Sequence, residues 1–342
     1  MQEEIYFWYH IVILNKNIKL ILNYFLGPLV FLFLAYSIHR QLLGQPDWTR
    51  SWDQIKKAVQ GNRQWMIWVA CLLMVVNWGL ESKKWQLVIR QVQPISYWRA
   101  FCATLTGTTM ASFTPNRIGE YLGRILYVEE GNRLSAVSLT IVCSIAQLII
   151  TLLAGVAGLL YLRAHLSQGV VAGRVDLHFW LNLLFYGVLA ILAVLVFCYF
   201  RLPWLIGILE KAPFSSKILG PIKILEEFNA TILVQILFLS FVRYLVFLVQ
   251  YSLLFAVFGV SLSWLEAASG MSVVFLVMAV IPTFTFLTEL GLRWEASIQI
   301  IELFSLNTVG IFAASFGIWL INLIIPALIG SLLILNIKLF RK

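Results

Sequence analysis

Three groups of charged residues interrupt the long uncharged stretches of this 342-residue chain, and their spacing limits the chemistry open to them. The densest is Pro115-Asn116-Arg117-Ile118-Gly119-Glu120-Tyr121-Leu122-Gly123-Arg124. On a helix that begins near Pro115, Arg117, Glu120 and Arg124 stand at i, i+3 and i+7, on one face. Two guanidinium forks around one carboxylate leave net positive charge with planar donor geometry, which suits a phosphate. A helix start after Pro115 would add N–H donors and a favourable dipole end. The second group is Glu289-Leu290-Gly291-Leu292-Arg293-Trp294-Glu295. Glu289 and Arg293 stand at i, i+4, Gly291 permits close backbone approach, and the surplus of acid complements the first group. Coupling of a proton or ion through Glu289 or Glu295 is an alternative use. The third is Arg243, alone near the centre of an uncharged run that also holds Gln235 and Gln250. An arginine at that depth needs a counter-charge or a wet cavity. A glutamate of the second group is the expected counter-charge; a lipid phosphate is the alternative. A plainer reading of the first group is a buried ion-pair cluster that holds the broken helix in place, but the cost of ions inside a membrane favours a binding role for it.

Other chemistries find no residues to carry them. There is no Walker loop, no aspartate pair for a divalent metal and no nucleophile elbow. Cys71, Cys102, Cys143 and Cys198 lie inside apolar segments at spacings that suit neither a disulfide framework nor zinc. His10, His39, His165 and His178 are scattered. No metal, no cofactor, no ATP-driven pumping and no enzymatic activity are expected.

The elements that must position these residues are membrane spans. Hydrophobic residues make up 61% of the chain and charged ones 12%, with a mean hydropathy of +0.87. Soluble domains carry about 25% charge. A pI of about 9.4 raises nucleic acid as a partner, but the basic residues sit at the ends of apolar runs, where they act as topology signals and headgroup contacts. Spans are expected at Leu20–Ile38, Trp65–Leu80, Ala136–Leu162, Phe179–Phe200, Thr231–Gly259 and Leu303–Ile337. The span from Trp65 is expected to continue through Glu81–Arg90 into the interface. Asp47–Val59 places Trp48, Trp52, Ile55 and Val59 on one face, an interfacial amphipathic helix.

Two segments depart from this pattern. Ala100–Thr114 is uncharged for only 15 residues, about 22 Å of helix and short of the hydrocarbon thickness. It is rich in Ala, Gly, Ser and Thr, which allow helices to approach closely, and Pro115 then breaks it. Ala267–Leu287 is interrupted at Pro282. Pro115, Gly119, Pro282 and Gly291 are therefore the expected hinges. The segments look like copies of one unit: the two Glu-x-x-x-Arg pairs lie about half a chain apart, and Ser96-Tyr97-Trp98-Arg99-Ala100 is similar to Ser263-Trp264-Leu265-Glu266-Ala267. The expected fold is an all-α integral membrane domain over residues 1–342, with one repeat in 1–170 and an inverted one in 171–342. Each repeat has three spans plus a broken re-entrant hairpin. This topology places most Lys and Arg residues on one side, with both termini cytoplasmic, whereas eight full crossings give no charge preference.

At these motifs the chain resembles the flippase-like transmembrane domain of lysylphosphatidylglycerol synthases and its free-standing relatives. Asn116 to Arg124 is similar to the family's Arg-x-Gly-Glu with a further Arg, and Gly291-Leu292-Arg293-Trp294-Glu295-Ala296 to its Gly-x-x-x-Glu-Ala stretch, without the family's preceding glycine pair. Ile325-Pro326-Ala327-Leu328-Ile329-Gly330 resembles the end of the family's last helix. The resemblance implies translocation of a phospholipid or polyprenyl-linked lipid. Synthase members carry an additional soluble aminoacyltransferase domain; this chain ends at Lys342 and is not expected to aminoacylate lipid.

Together these readings predict a lipid translocase in a bacterial inner membrane that holds an anionic headgroup at Asn116, Arg117, Glu120, Arg124, Arg243, Glu289, Arg293 and Glu295. The alternative is an enzyme, or an enzyme subunit, that modifies a lipid-linked substrate. A separate lipid-modifying synthase is a second class of partner.

Overall fold

The apolar run that starts at Trp65 and the charged stretch that follows form one helix, α1 (Gln64–Ile89). In the computed structural model, the residues described are 61–112, 114, 117–169, 175–211, 220, 222–281 and 286–334, with positions 36, 53, 56 and 57. All of the expected first span except Tyr36, and all but three positions of the amphipathic Asp47–Val59 segment, lie outside these residues, as do Pro115, Asn116 and Pro282.

Every regular element among the described residues is helical. After α1 come α2 (Tyr97–Ala111), α3 (Gly119–Ile125), α4 (Arg133–Gly169), α5 (Val175–Phe200), α6 (Leu202–Lys211), α7 (Ala230–Val257), α8 (Trp264–Val280), α9 (Phe286–Ile301), α10 (Thr308–Trp319) and α11 (Ile325–Ile334). Among the described residues, five stretches are long and apolar enough to cross a bilayer: Gln64–Ile89, Glu130–His165, Asn182–Phe200, Ala230–Val257 and Thr308–Ile334. Large apolar side chains are exposed along them, with Trp68 at 70%, Leu72 at 64% and Phe238 at 63%. A surface of that kind belongs in lipid. The chain is a multi-pass integral membrane protein.

Both broken segments are helix pairs. Ser96 caps α2 by accepting from the Arg99 N–H, and Ser263 caps α8 in a full capping box with Glu266, so the two similar Ser-aromatic sequences start equivalent helices. Threonines of α2 return their hydroxyls to the carbonyl four residues back: Thr104 to Ala100, Thr108 to Thr104 and Thr109 to Leu105. That satisfies them without side-chain partners and keeps the helix slim. α3 lies against it backbone to backbone; a Cβ on Gly123 would stand 2.5 Å from the Gly107 Cα. Thr114 joins the two pieces, its Oγ1 accepting from the Gly119 N–H at 2.6 Å.

Packing between the halves is reciprocal. α2 lies on α11, where a Cβ on Gly330 would overlap the Leu105 carbonyl oxygen and the Thr109 hydroxyl donates to the Ala327 carbonyl at 2.7 Å. α8 lies on α4, where a Cβ on Gly158 would stand 2.6 Å from the Ser269 carbonyl oxygen. Each hairpin is thus held by the long helix that follows the other one. α1 and α7 pack between them. The last span, expected as one helix from Leu303, begins instead at Thr308, capped by Asn307, and passes through a π-helical turn at Leu320–Ile324. Pro326, which has no N–H to offer the Asn322 carbonyl, accounts for that turn.

Candidate functional site

Asn77, Glu81 and Lys84 stand at i, i+4 and i+7 on α1 and share the face turned to the interior. Glu81 is the hub. Its carboxylate meets Lys84 Nζ at 2.8 Å, Arg124 Nη2 at 2.9 Å and Arg243 Nη1 at 2.9 Å, with only 5% of its side chain exposed. Arg243 also donates from Nε to Asn77 Oδ1 at 2.6 Å, and its guanidinium lies 5.4 Å from the Trp78 ring centre. Lys84 reaches the Ser240 hydroxyl at 3.3 Å. The counter-charge of Arg243 is therefore on α1, and not in the second charged group as expected. Sequence reasoning misses Asn77, Glu81 and Lys84 because charge at the end of an apolar run reads as an interface; their common helical spacing is the available signal.

The first motif is assembled differently from the expectation. The helix begins at Gly119, so Arg117 precedes it, with a left-handed φ of +59°, and does not share a helical face with Arg124. Glu120 and Arg124 do stand one turn apart and form an ion pair. Arg124 bridges Glu120 and Glu81 and is 1% exposed. Arg117 is looser, with 37% of its side chain exposed, 3.6 Å from Glu120 and 3.8 Å from Glu289. That last contact is how the two motifs meet. Arg124, at the other end of its motif, pairs within the first half.

In the second motif Arg293 donates to Glu289 at 2.7 Å and to the Tyr251 hydroxyl at 3.1 Å. Glu295 is exposed, bonds Gln299 at 3.0 Å and stays outside the cluster, so the structure does not bring it to the site. Of the expected hinges, Gly119 is a packing glycine, because a Cβ there would overlap the Met110 carbonyl oxygen. Gly291 has open space instead of the close approach expected of it.

Arg117, Glu120, Arg243, Glu289 and Arg293 border one cavity of about 360 Å³, together with Glu81 and Lys84. Ser144, Gln147 and Thr151 of α4 add polar groups, and Leu148, Phe247, Phe275 and Met278 supply an apolar wall. A space lined by both cations and hydrocarbon can hold an anionic group whose tail stays in lipid. Each of the three carboxylates is engaged by a cation. The arrangement therefore favours holding charge over taking a proton from a substrate.

A multi-pass helical membrane protein with a charged cavity between two broken helix pairs is the class that fold and site define. A family model described as the lysylphosphatidylglycerol synthase TM region matches residues 21–330, and the chain belongs to that family. No curated protein matches the chain.

Proposed function

We propose that the protein is a lipid translocase that holds an anionic phospholipid or polyprenyl-phosphate headgroup in the central cavity while the acyl chains remain in the bilayer. One observation carries this reading: Lys84, Arg117, Arg243 and Arg293 converge on a cavity that is also lined by Leu148, Phe247, Phe275 and Met278. The reciprocal packing of the hairpins supports two inverted repeats, with the first hairpin entering from the cytoplasmic side and the second from outside. A bacterial inner membrane and cytoplasmic termini complete the proposal. Purified protein in liposomes provides the test. Fluorescent phosphatidylglycerol placed in the inner leaflet should become accessible to an external quencher faster than in protein-free liposomes. Unchanged leaflet distribution, with a chemically altered lipid found by mass spectrometry, would support the enzyme reading instead.

A further inference from the structure

Around the ion cluster, five cations (Lys84, Arg117, Arg124, Arg243 and Arg293) face three carboxylates (Glu81, Glu120 and Glu289). Among the described residues the cluster thus holds two positive charges more than it neutralises. On the cavity wall itself, Arg293 Nε is a buried donor and Gln147 Oε1 a buried acceptor without a hydrogen-bond partner. Buried polar groups are nearly always satisfied, so the free donor and the surplus of positive charge together suit an anionic ligand rich in acceptors.

The ion pairs also differ in how firmly they are made. Those of Glu81 and the Glu289–Arg293 pair close at 2.7 to 2.9 Å, whereas Arg117 stands at 3.6 Å from Glu120 and 3.8 Å from Glu289. Arg117 is more exposed than any other cation of the cluster that those pairs describe, and its backbone is in the left-handed region that a non-glycine residue occupies at a cost. Arg243, in contrast, is held by both Asn77 and Glu81.

We propose that the cavity selects a phosphate carrying two negative charges, a phosphomonoester headgroup, and that Arg117 leaves Glu289 to bind it. This rests on the anionic-headgroup reading above and narrows it. Glu289 is then the carboxylate that the phosphate displaces, and Arg243 the fixed half of the clamp.

Binding to the purified full-length chain in detergent tests this with three lipids at pH 8, where a phosphomonoester carries close to two charges. Dioleoyl phosphatidic acid is the probe, its methyl ester removes one charge at nearly constant shape, and phosphatidylcholine is zwitterionic. Phosphatidic acid should bind at least about tenfold more tightly than the methyl ester, the factor that one further charge-assisted hydrogen bond supplies. Glu289→Gln should tighten phosphatidic acid several-fold, and Arg117→Gln should weaken it and close the gap to the methyl ester. If Glu289→Gln does not fold, Arg117→Gln decides alone, since a half-exposed side chain is not needed for folding. Equal binding of phosphatidic acid and methyl ester overturns the doubly charged ligand but leaves the anionic-headgroup reading standing; equal binding of all three overturns that reading. Soluble glycerol 3-phosphate separates the sources. Its failure to compete at millimolar concentration supports a lipid, and competition as strong as that of phosphatidic acid overturns the lipid assignment while supporting the phosphate chemistry.

Discussion

Glu81→Gln is the most informative single change in the structure. It keeps the size of the side chain and removes the one charge that Lys84, Arg124 and Arg243 share, at 2.8, 2.9 and 2.9 Å. Truncating one side of a buried ion pair costs about 3–5 kcal/mol. With three cations left facing one another, the upper end of that range applies. Removing Arg243 at the same time takes away one of those cations and the repulsion it would suffer. The double variant Glu81→Gln/Arg243→Gln should therefore be less destabilised than the two single changes added together, with a coupling of roughly 1–3 kcal/mol. Thermal unfolding of the four proteins in one detergent measures it. At roughly 2 °C per kcal/mol, the Glu81→Gln shift is on the order of 8–10 °C and is easily resolved. Strict additivity would mean that Glu81 and Arg243 do not share a bond, and the hub would have to be abandoned.

The same measurement on Arg117→Gln with Glu289→Gln should give a coupling below about 1 kcal/mol, because a 3.8 Å contact at a half-exposed arginine is worth little more than a surface pair. Gly330→Val forces a side chain into the Leu105 carbonyl and the Thr109 hydroxyl and should destabilise by roughly 1–3 kcal/mol or prevent folding, while Gly187→Ala, with open space around it, should be neutral or slightly stabilising in thermal unfolding. Glu295→Gln, outside the cluster, should leave stability within about 0.5 kcal/mol of the parent. On a cysteine-free background, Gly131→Cys and Leu306→Cys, both at exposed positions just before the body of the long apolar stretch that follows each hairpin, should be labelled by an impermeant reagent from opposite sides of the membrane. Labelling from one side would refute the inverted arrangement.

The parts of this molecule that follow from one-dimensional features are legible in the sequence. Uncharged run length locates α1, α4, α5 and α7, and the short, hydroxyl-rich Ala100–Thr114 stretch locates the first break. Similar Ser-aromatic sequences mark two helix starts that the fold caps in the same way. Which charge meets which is not legible there. Glu81 lies on a helix whose last turns are buried, with Trp85 fully covered and bonded to Thr140 of α4, so a charge that reads as interfacial is interior. Arg117 leaves the expected helical face because the chain turns through a left-handed residue before α3, a feature that spacing alone does not encode.

The distribution of firm and loose contacts says where the two halves can separate. α2 is fastened to α11 and α8 to α4 by glycines in backbone contact, so neither hairpin can shift without carrying the long helix of the other half. Glu81 of α1 is tied to α3 and α7 through two short ion pairs, with Arg124 and Arg243. Against these, Arg117–Glu289 is the one ion pair between the two hairpins among the described residues, and it is long and partly exposed. Packed cores switch between discrete arrangements more readily than they deform. Movement that opens the cavity to one leaflet would therefore break Arg117–Glu289 first and leave the Glu81 hub intact. An anion bound between Arg117 and Arg243 would substitute for Glu289 at the same moment, so that occupancy of the cavity and release of the hairpins are one event.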